Sequence, residues 1–150
     1  MDAHKQLRIG LFGFGVVGEG LYRILQQTPS LKANIKKVCI KHPGKKRNAP
    51  EDLFTTDKYE LLNDPDINVI VEVINETEPA FEIVTTALKN GKDVVSASKK
   101  MLAEHLAALL ELQRETGRSV LYEAAACASI PGPISIRGPS TTRPRSAGST

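Results

Sequence analysis

Short apolar runs alternate with stretches of helical period along this chain, and that alternation limits the possible folds more than any other feature. LRIGLF (7–12) reads as a buried strand that breaks into glycines. After Gly15 the period becomes helical, with Val17, Leu21, Ile24, Leu25 and Thr28 on one face and Pro29 as the stop. IKKVCI (35–40) reads as a second strand, and HPGKKRNAP as a polar loop. A weak helical turn around Asp57–Leu62 precedes NVIVEVI (68–74), the clearest strand. Pro79 fits the first position of the next helix, which turns Phe81, Val84, Ala87 and Leu88 inward and ends at Asn90-Gly91. DVVSA (93–97) is a fourth strand. Ser98 is placed to cap a helix carrying Leu102, Leu106, Leu109 and Gln113, closed by Gly117. SVLYEAA (119–125) is a fifth strand. Strands alternating with helices predict βαβ units, a parallel sheet and right-handed crossovers. The expected architecture is an α/β fold with a doubly wound parallel sheet, of Rossmann type.

Composition narrows the partners. A chain of 150 residues holds one domain with a real core, and its apolar (41%) and charged (25%) fractions are those of globular proteins. A net charge of +3, 5% aromatics and no Trp argue against a nucleic-acid interface. Neither a charged-then-apolar leader nor an apolar stretch of roughly 20 residues is present, so a cytoplasmic protein without a membrane partner is expected. Cys39 and Cys127 form no metal or redox motif, and Cys39 in its VCI run reads as a small buried hydrophobe. Residues 132–150 are rich in Pro, Gly, Ser, Thr and Arg, with no hydrophobic period after Ile136. A low-complexity, disordered tail is expected there, beside a dinucleotide-binding domain over 1–131.

Gly13, Gly15 and Gly18 fit G-x-G-x-x-G, with a strand before and a helix after. In a dinucleotide site the first glycine permits the turn, the second lets backbone approach a pyrophosphate, and the third lets helix and strand pack closely. A tight strand–helix turn without ligand is the plainer alternative. At the end of the second strand, where an NAD site usually places an acidic residue, stand Lys41 and His42, with Lys45, Lys46 and Arg47 behind. Positive charge there favours the 2′-phosphate of NADP over NAD; the alternative is a solvated basic loop. Asn75-Glu76-Thr77, Ser98-Lys99 and Glu123 are the other candidates at strand ends. Lys99 opens a helix, where its charge opposes the dipole, so a functional role is more plausible for it than for Lys100. His4, His42 and His105 show no metal-ligand spacing, and His105 is expected to face solvent.

Taken together, IGLFGFGVVGEGL, INVIVEVINETEPA, GKDVVSASKKMLAEH and VLYEAAACASIP resemble the nucleotide-binding half of homoserine dehydrogenase, from about residue 7 to Pro131. The resemblance implies reversible hydride transfer between NAD(P) and L-homoserine or L-aspartate 4-semialdehyde, in threonine, methionine and isoleucine biosynthesis. It implies cofactor contacts at Phe14, Val16 and Val17 of the glycine loop, at Lys41 near the adenosine ribose, and at Asn75 and Thr77 on the nicotinamide side. Lys99 would reach both cofactor and reaction centre as the catalytic lysine. Glu123, with the carbonyls of Ala126, Ala128 and Ile130, would hold a sodium ion. The parent enzyme is expected to be a homo-oligomer.

Two departures stand out. Ser98 replaces the family's usual asparagine, and after Pro131 the tail takes the place of a substrate domain. The expectation is therefore a truncated or frame-shifted cofactor-binding fragment, inactive by itself. The alternatives are another Rossmann oxidoreductase acting on a small carbonyl or imine, a non-catalytic nucleotide-binding module, and a purely structural βαβ domain.

Overall fold

The computed structural model describes residues 6–74 and 76–122. Its elements are β1 (Leu7–Phe12), α1 (Val16–Gln27), β2 (Ala33–Cys39), β3 (Phe54–Thr55), α2 (Tyr59–Leu62), β4 (Val69–Glu72), α3 (Thr77–Lys89), β5 (Asp93–Ser96), α4 (Lys99–Thr116) and β6 (Val120–Tyr122). The six strands form one sheet in the order β3-β2-β1-β4-β5-β6, and every neighbouring pair is parallel. The chain first moves outward from β1 to β3, then returns to β4 beside β1 and moves the other way. With right-handed crossovers, that reversal puts the helices of the two halves on opposite faces.

The core follows this division. Leu11 and Phe12 are consecutive and both buried, because neighbouring strand side chains point to opposite faces. Phe12, Ile70 and Val94 join Val84, Leu88, Leu102 and Leu109 under α3 and α4. Leu11, Val38 and Val71 join Leu21, Tyr22 and Leu25 of α1. Burial on both faces explains why the strands read as nearly continuous apolar runs. At the amino end of β5, the buried Lys92 ammonium donates to the carbonyls of Asp64 (2.6 Å) and Ile67 (2.7 Å). Burial holds its pKa below the usual lysine range.

Several sequence expectations are corrected. The inward line of α1 is Gly18, Leu21, Tyr22 and Leu25, while Val17 and Ile24 are 60% and 55% exposed. Gly18 turns its bare Cα toward the carbonyl of Gly13, and that close approach rotates Val17 outward. β2 begins two residues earlier than expected, and β4 spans only Val69–Glu72. β3 is an added sixth strand whose two residues pair with Val38 and Cys39, too short for a period-2 signal. α3 starts at Thr77, so Pro79 is its third residue; a first-turn N–H has no intrahelical partner, and proline is tolerated there. Ser98 stands at the N-cap of α4 but makes no side-chain capping bond, because its hydroxyl is engaged elsewhere. Among the described residues, no helix is long and apolar enough to cross a membrane. The tail at 132–150, Cys127 and the part of the fifth expected strand beyond Tyr122 lie outside the described residues.

Candidate functional site

The turn after β1 uses its three glycines for three different reasons. Gly13 has φ +103°, a conformation L side chains rarely adopt, and an added Cβ would press on Val73 and Ile74 side chains at 3.1 and 3.2 Å. Its N–H donates to the Cys39 carbonyl (3.1 Å), which ties the turn to the end of β2. A Cβ on Gly18 would lie 2.3 Å from the Gly13 carbonyl oxygen, so this glycine sets how closely α1 meets the turn. Gly15 differs from both. Its φ is −84° and an added Cβ would meet no protein atom within 4 Å. Neither backbone strain nor packing demands glycine there. Gly15 is also the N-cap of α1, and no side chain caps the first-turn amides.

In front of this turn lies a cleft of about 1030 Å³ across the carboxyl ends of β1, β2 and β4. This is where the strand order reverses, the position at which open α/β sheets bind ligands. Gly13, Phe14, Gly15, Val16 and Lys41 line it together. Phe14 is held edge-on by Tyr22 and Phe54, with ring centroids 5.9 and 5.0 Å away. Lys45, Lys46 and Arg47 supply a cationic wall beyond β2, with His42 beside them. Lys41 pairs with Glu76 of the β4–α3 segment, so an acidic group does stand near this lysine, reaching in from a different strand end. Both side chains are largely exposed, and such a pair contributes little to stability.

The remaining candidates are distributed differently. Val17 and Gly18 lie in α1 behind the cleft wall, and Thr77 and Lys99 are the first residues of α3 and α4. Both sit at the carboxyl ends of β4 and β5; neither lines the cleft, although Glu76 and Pro79 on either side of Thr77 do. Asn75, Glu123, Ala126, Ala128 and Ile130 lie outside the described residues.

Three polar features were not anticipated from the sequence. Glu72, at the end of β4, is fully buried. It accepts from Ser96 Oγ (2.6 Å) and Ile74 N–H (2.9 Å) and is bonded to Ser98 Oγ. Burial pushes its pKa above the usual glutamate value, and the donors from Ser96, Ser98 and Ile74 pull it back. In the sequence, VIVEVI showed only a strand with one charge in it. His105 does not face solvent freely: its ring stacks on Phe81 at 3.8 Å, and its Nε2 lies 3.2 Å from Glu78. Glu78, Glu104 and His105 bring ligand atoms within 4.8 Å of one another, a grouping across α3 and α4 that linear spacing does not reveal. Cys39, read from the sequence as a small buried hydrophobe, is half-buried, and burial together with Asp57 and Glu60 raises its thiol pKa to about 11.

Similarity to known proteins points to one family. The family model described as "Homoserine dehydrogenase, NAD binding domain" matches residues 13–123. Homoserine dehydrogenase of Bacillus subtilis is 35% identical over 136 residues, 85% of this chain and 31% of that protein. The Synechocystis enzyme is 36% identical over 132 residues, covering 83% and 30%. A crystal structure of S. aureus homoserine dehydrogenase superposes with TM-score 0.71 at 36% identity, over 80% of this chain and 33% of that one. The Thiobacillus denitrificans homoserine dehydrogenase gives 0.72 at 29% identity, covering 81% and 30%. The chain thus spans about a third of the length of these relatives. With its reversed strand order, its glycine turn and a family match over most of the chain, this protein belongs to the homoserine dehydrogenase NAD-binding domain family and carries that family's nicotinamide-dinucleotide site.

Proposed function

We propose that this site prefers NADP to NAD, and that it serves hydride transfer between the dinucleotide and L-homoserine or L-aspartate 4-semialdehyde. The observation that carries the reading is Gly15: space for a Cβ is left open where nothing in the fold requires it, at the mouth of the cleft and beside uncapped amides. A pyrophosphate fits that donor set, since backbone N–H groups and the positive end of α1 both favour an anion. The adenosine half then points toward β2, where Lys41, Lys45, Lys46 and Arg47 suit a 2′-phosphate. Phe14, Val16 and Val17 accompany the pyrophosphate turn, and Asn75 and Thr77 the nicotinamide side.

When bound, the dinucleotide supplies or accepts the hydride. By the family resemblance, Lys99 at the start of α4 holds or delivers the proton at the substrate oxygen. The sodium ion assigned to Glu123 and the carbonyls of Ala126, Ala128 and Ile130 rests on the family resemblance alone; one carboxylate with three carbonyls is an all-oxygen donor set of the kind hard cations prefer. In its relatives this chain corresponds to about 31% of the length, so the 150 residues alone are expected to bind cofactor without turning over homoserine. Parent-like oligomerisation belongs to the same proposal.

An NMR titration with NADP+ tests the site. The amides of Val16, Val17 and Gly18 should shift most, with saturable dependence on concentration. Saturable shifts that spare this turn would overturn the assignment. Robust homoserine oxidation by the purified chain, free of contaminating enzyme, would overturn the expectation of inactivity.

A further inference from the structure

Glu72 is a fully buried carboxylate that the dinucleotide contacts described above do not use. Burying such a group is costly, and an apolar residue of similar size would stabilise the same position more simply. What the carboxylate does is join two segments that leave the sheet at adjacent strand ends. Its side chain holds Ile74 N–H at 2.9 Å, on the segment leading to Thr77. It also holds Ser96 Oγ at 2.6 Å and Ser98 Oγ, on the turn leading to Lys99. Ser98 Oγ lies 2.7 Å from the Ile74 carbonyl, and Ala97 N–H donates to the Glu72 carbonyl at 3.0 Å. The same residue therefore ties both segments through side chain and backbone.

The hydrogens in this network can be counted. Ser98 has one hydroxyl hydrogen and faces two acceptors, Glu72 Oε2 and the Ile74 carbonyl. A proton on Glu72 Oε2 resolves this: Oε2 donates to Ser98 Oγ, which then donates to Ile74. Ser96 Oγ and Ile74 N–H still find free lone pairs on the carboxyl group. Every member is then matched, the condition under which a buried polar network rigidifies its surroundings.

We propose that Glu72 is the positioning residue for the nicotinamide half of the cleft, locking the β4–α3 segment to the Ser98–Lys99 turn so that Thr77 and Lys99 stand at a fixed separation. This rests on the dinucleotide reading above. With the pyrophosphate at Gly15 and the adenosine over β2, the other half of the ligand extends over the ends of β4 and β5. The adenosine half extends the other way, over the end of β2.

The test compares two ligands on the full chain by calorimetry: NADP+, and adenosine 2′,5′-bisphosphate, which lacks the nicotinamide half. Glu72→Leu should weaken NADP+ about tenfold, the scale of one lost buried hydrogen bond, while the bisphosphate changes by less than about twofold. Glu72→Gln retains one acceptor and one donor, and should recover most of the lost NADP+ affinity. Should Glu72→Leu fail to fold, Ser98→Ala carries the test, since it cuts the link to Ile74 and should show the same selective loss. Equal losses for both ligands would reduce Glu72 to a structural role and overturn the proposal, as would unchanged NADP+ binding in both Glu72→Leu and Ser98→Ala. If the wild-type chain binds neither ligand, the dinucleotide reading itself falls, an outcome distinct from these.

Discussion

Substituting alanine at Gly15 and at Gly18 should separate binding from folding within one turn. At Gly18 the new Cβ would stand 2.3 Å from the Gly13 carbonyl oxygen and 3.1 Å from its carbon, and both are backbone atoms that no rotamer change can move. α1 must retreat by roughly 1 Å, an overpacking cost of about 1–3 kcal/mol that exceeds the ~1 kcal/mol alanine gains over glycine in a helix. The melting temperature should fall by several degrees, at roughly 4 °C per kcal/mol for a domain of this size. At Gly15 the Cβ meets no protein atom within 4 Å, and φ is −84°. Stability should therefore hold or rise by up to ~1 kcal/mol through the unfolded chain. The methyl group would instead occupy the space proposed for the pyrophosphate and weaken dinucleotide binding by about tenfold or more. Thermal melts and calorimetric titration of both variants check this. A Gly15→Ala protein that melts as early as Gly18→Ala, or one that folds and binds NADP+ like the wild type, would refute the reasoning.

Three further outcomes follow from the same geometry. Lys41→Glu should shift the ratio of NADP+ to NAD+ affinity toward NAD+ by about tenfold, and an unchanged ratio counts against the 2′-phosphate assignment. Because burial raises the pKa of Glu72 above its ordinary 4.5, the folded state holds that proton more tightly than the unfolded chain. Its contribution is complete below pH 4.5 and declines as pH rises through the raised value, so the stability of wild type relative to Glu72→Gln should fall as pH rises above 4.5; melts showing the opposite trend would exclude the assignment. With its thiol pKa near 11, Cys39 is only about one part in a thousand thiolate at pH 8, so iodoacetamide should label it far more slowly in the native protein than in urea, and equal rates by peptide mass spectrometry would contradict its burial.

The sheet was legible in the sequence because strands buried on both faces are apolar throughout, and runs such as VIVEV have no other reading. β3 escaped because two residues carry no period, and its place depends on pairing with β2. The glycine turn was legible as a motif, but only the structure divides its labour: strain at Gly13, contact at Gly18, open space at Gly15. The facing of α1 was misjudged because apolar periodicity counts Val17 and Ile24, whereas the helix approaches the sheet along glycine. Ser98 fitted an N-cap by residue type, yet the buried Glu72 carboxyl and the Ile74 carbonyl engage its hydroxyl. That competition, like the stacking of His105 on Phe81, arises between elements distant in sequence and leaves no local pattern.

Calorimetric titration of the 150-residue chain with NADP+ and NAD+ tests the central claim most directly. The account predicts one saturable site per chain with NADP+ bound more tightly than NAD+, and loss of that site in Gly15→Ala. Absence of saturable binding of either dinucleotide at millimolar concentration, by a protein that melts cooperatively, would contradict it.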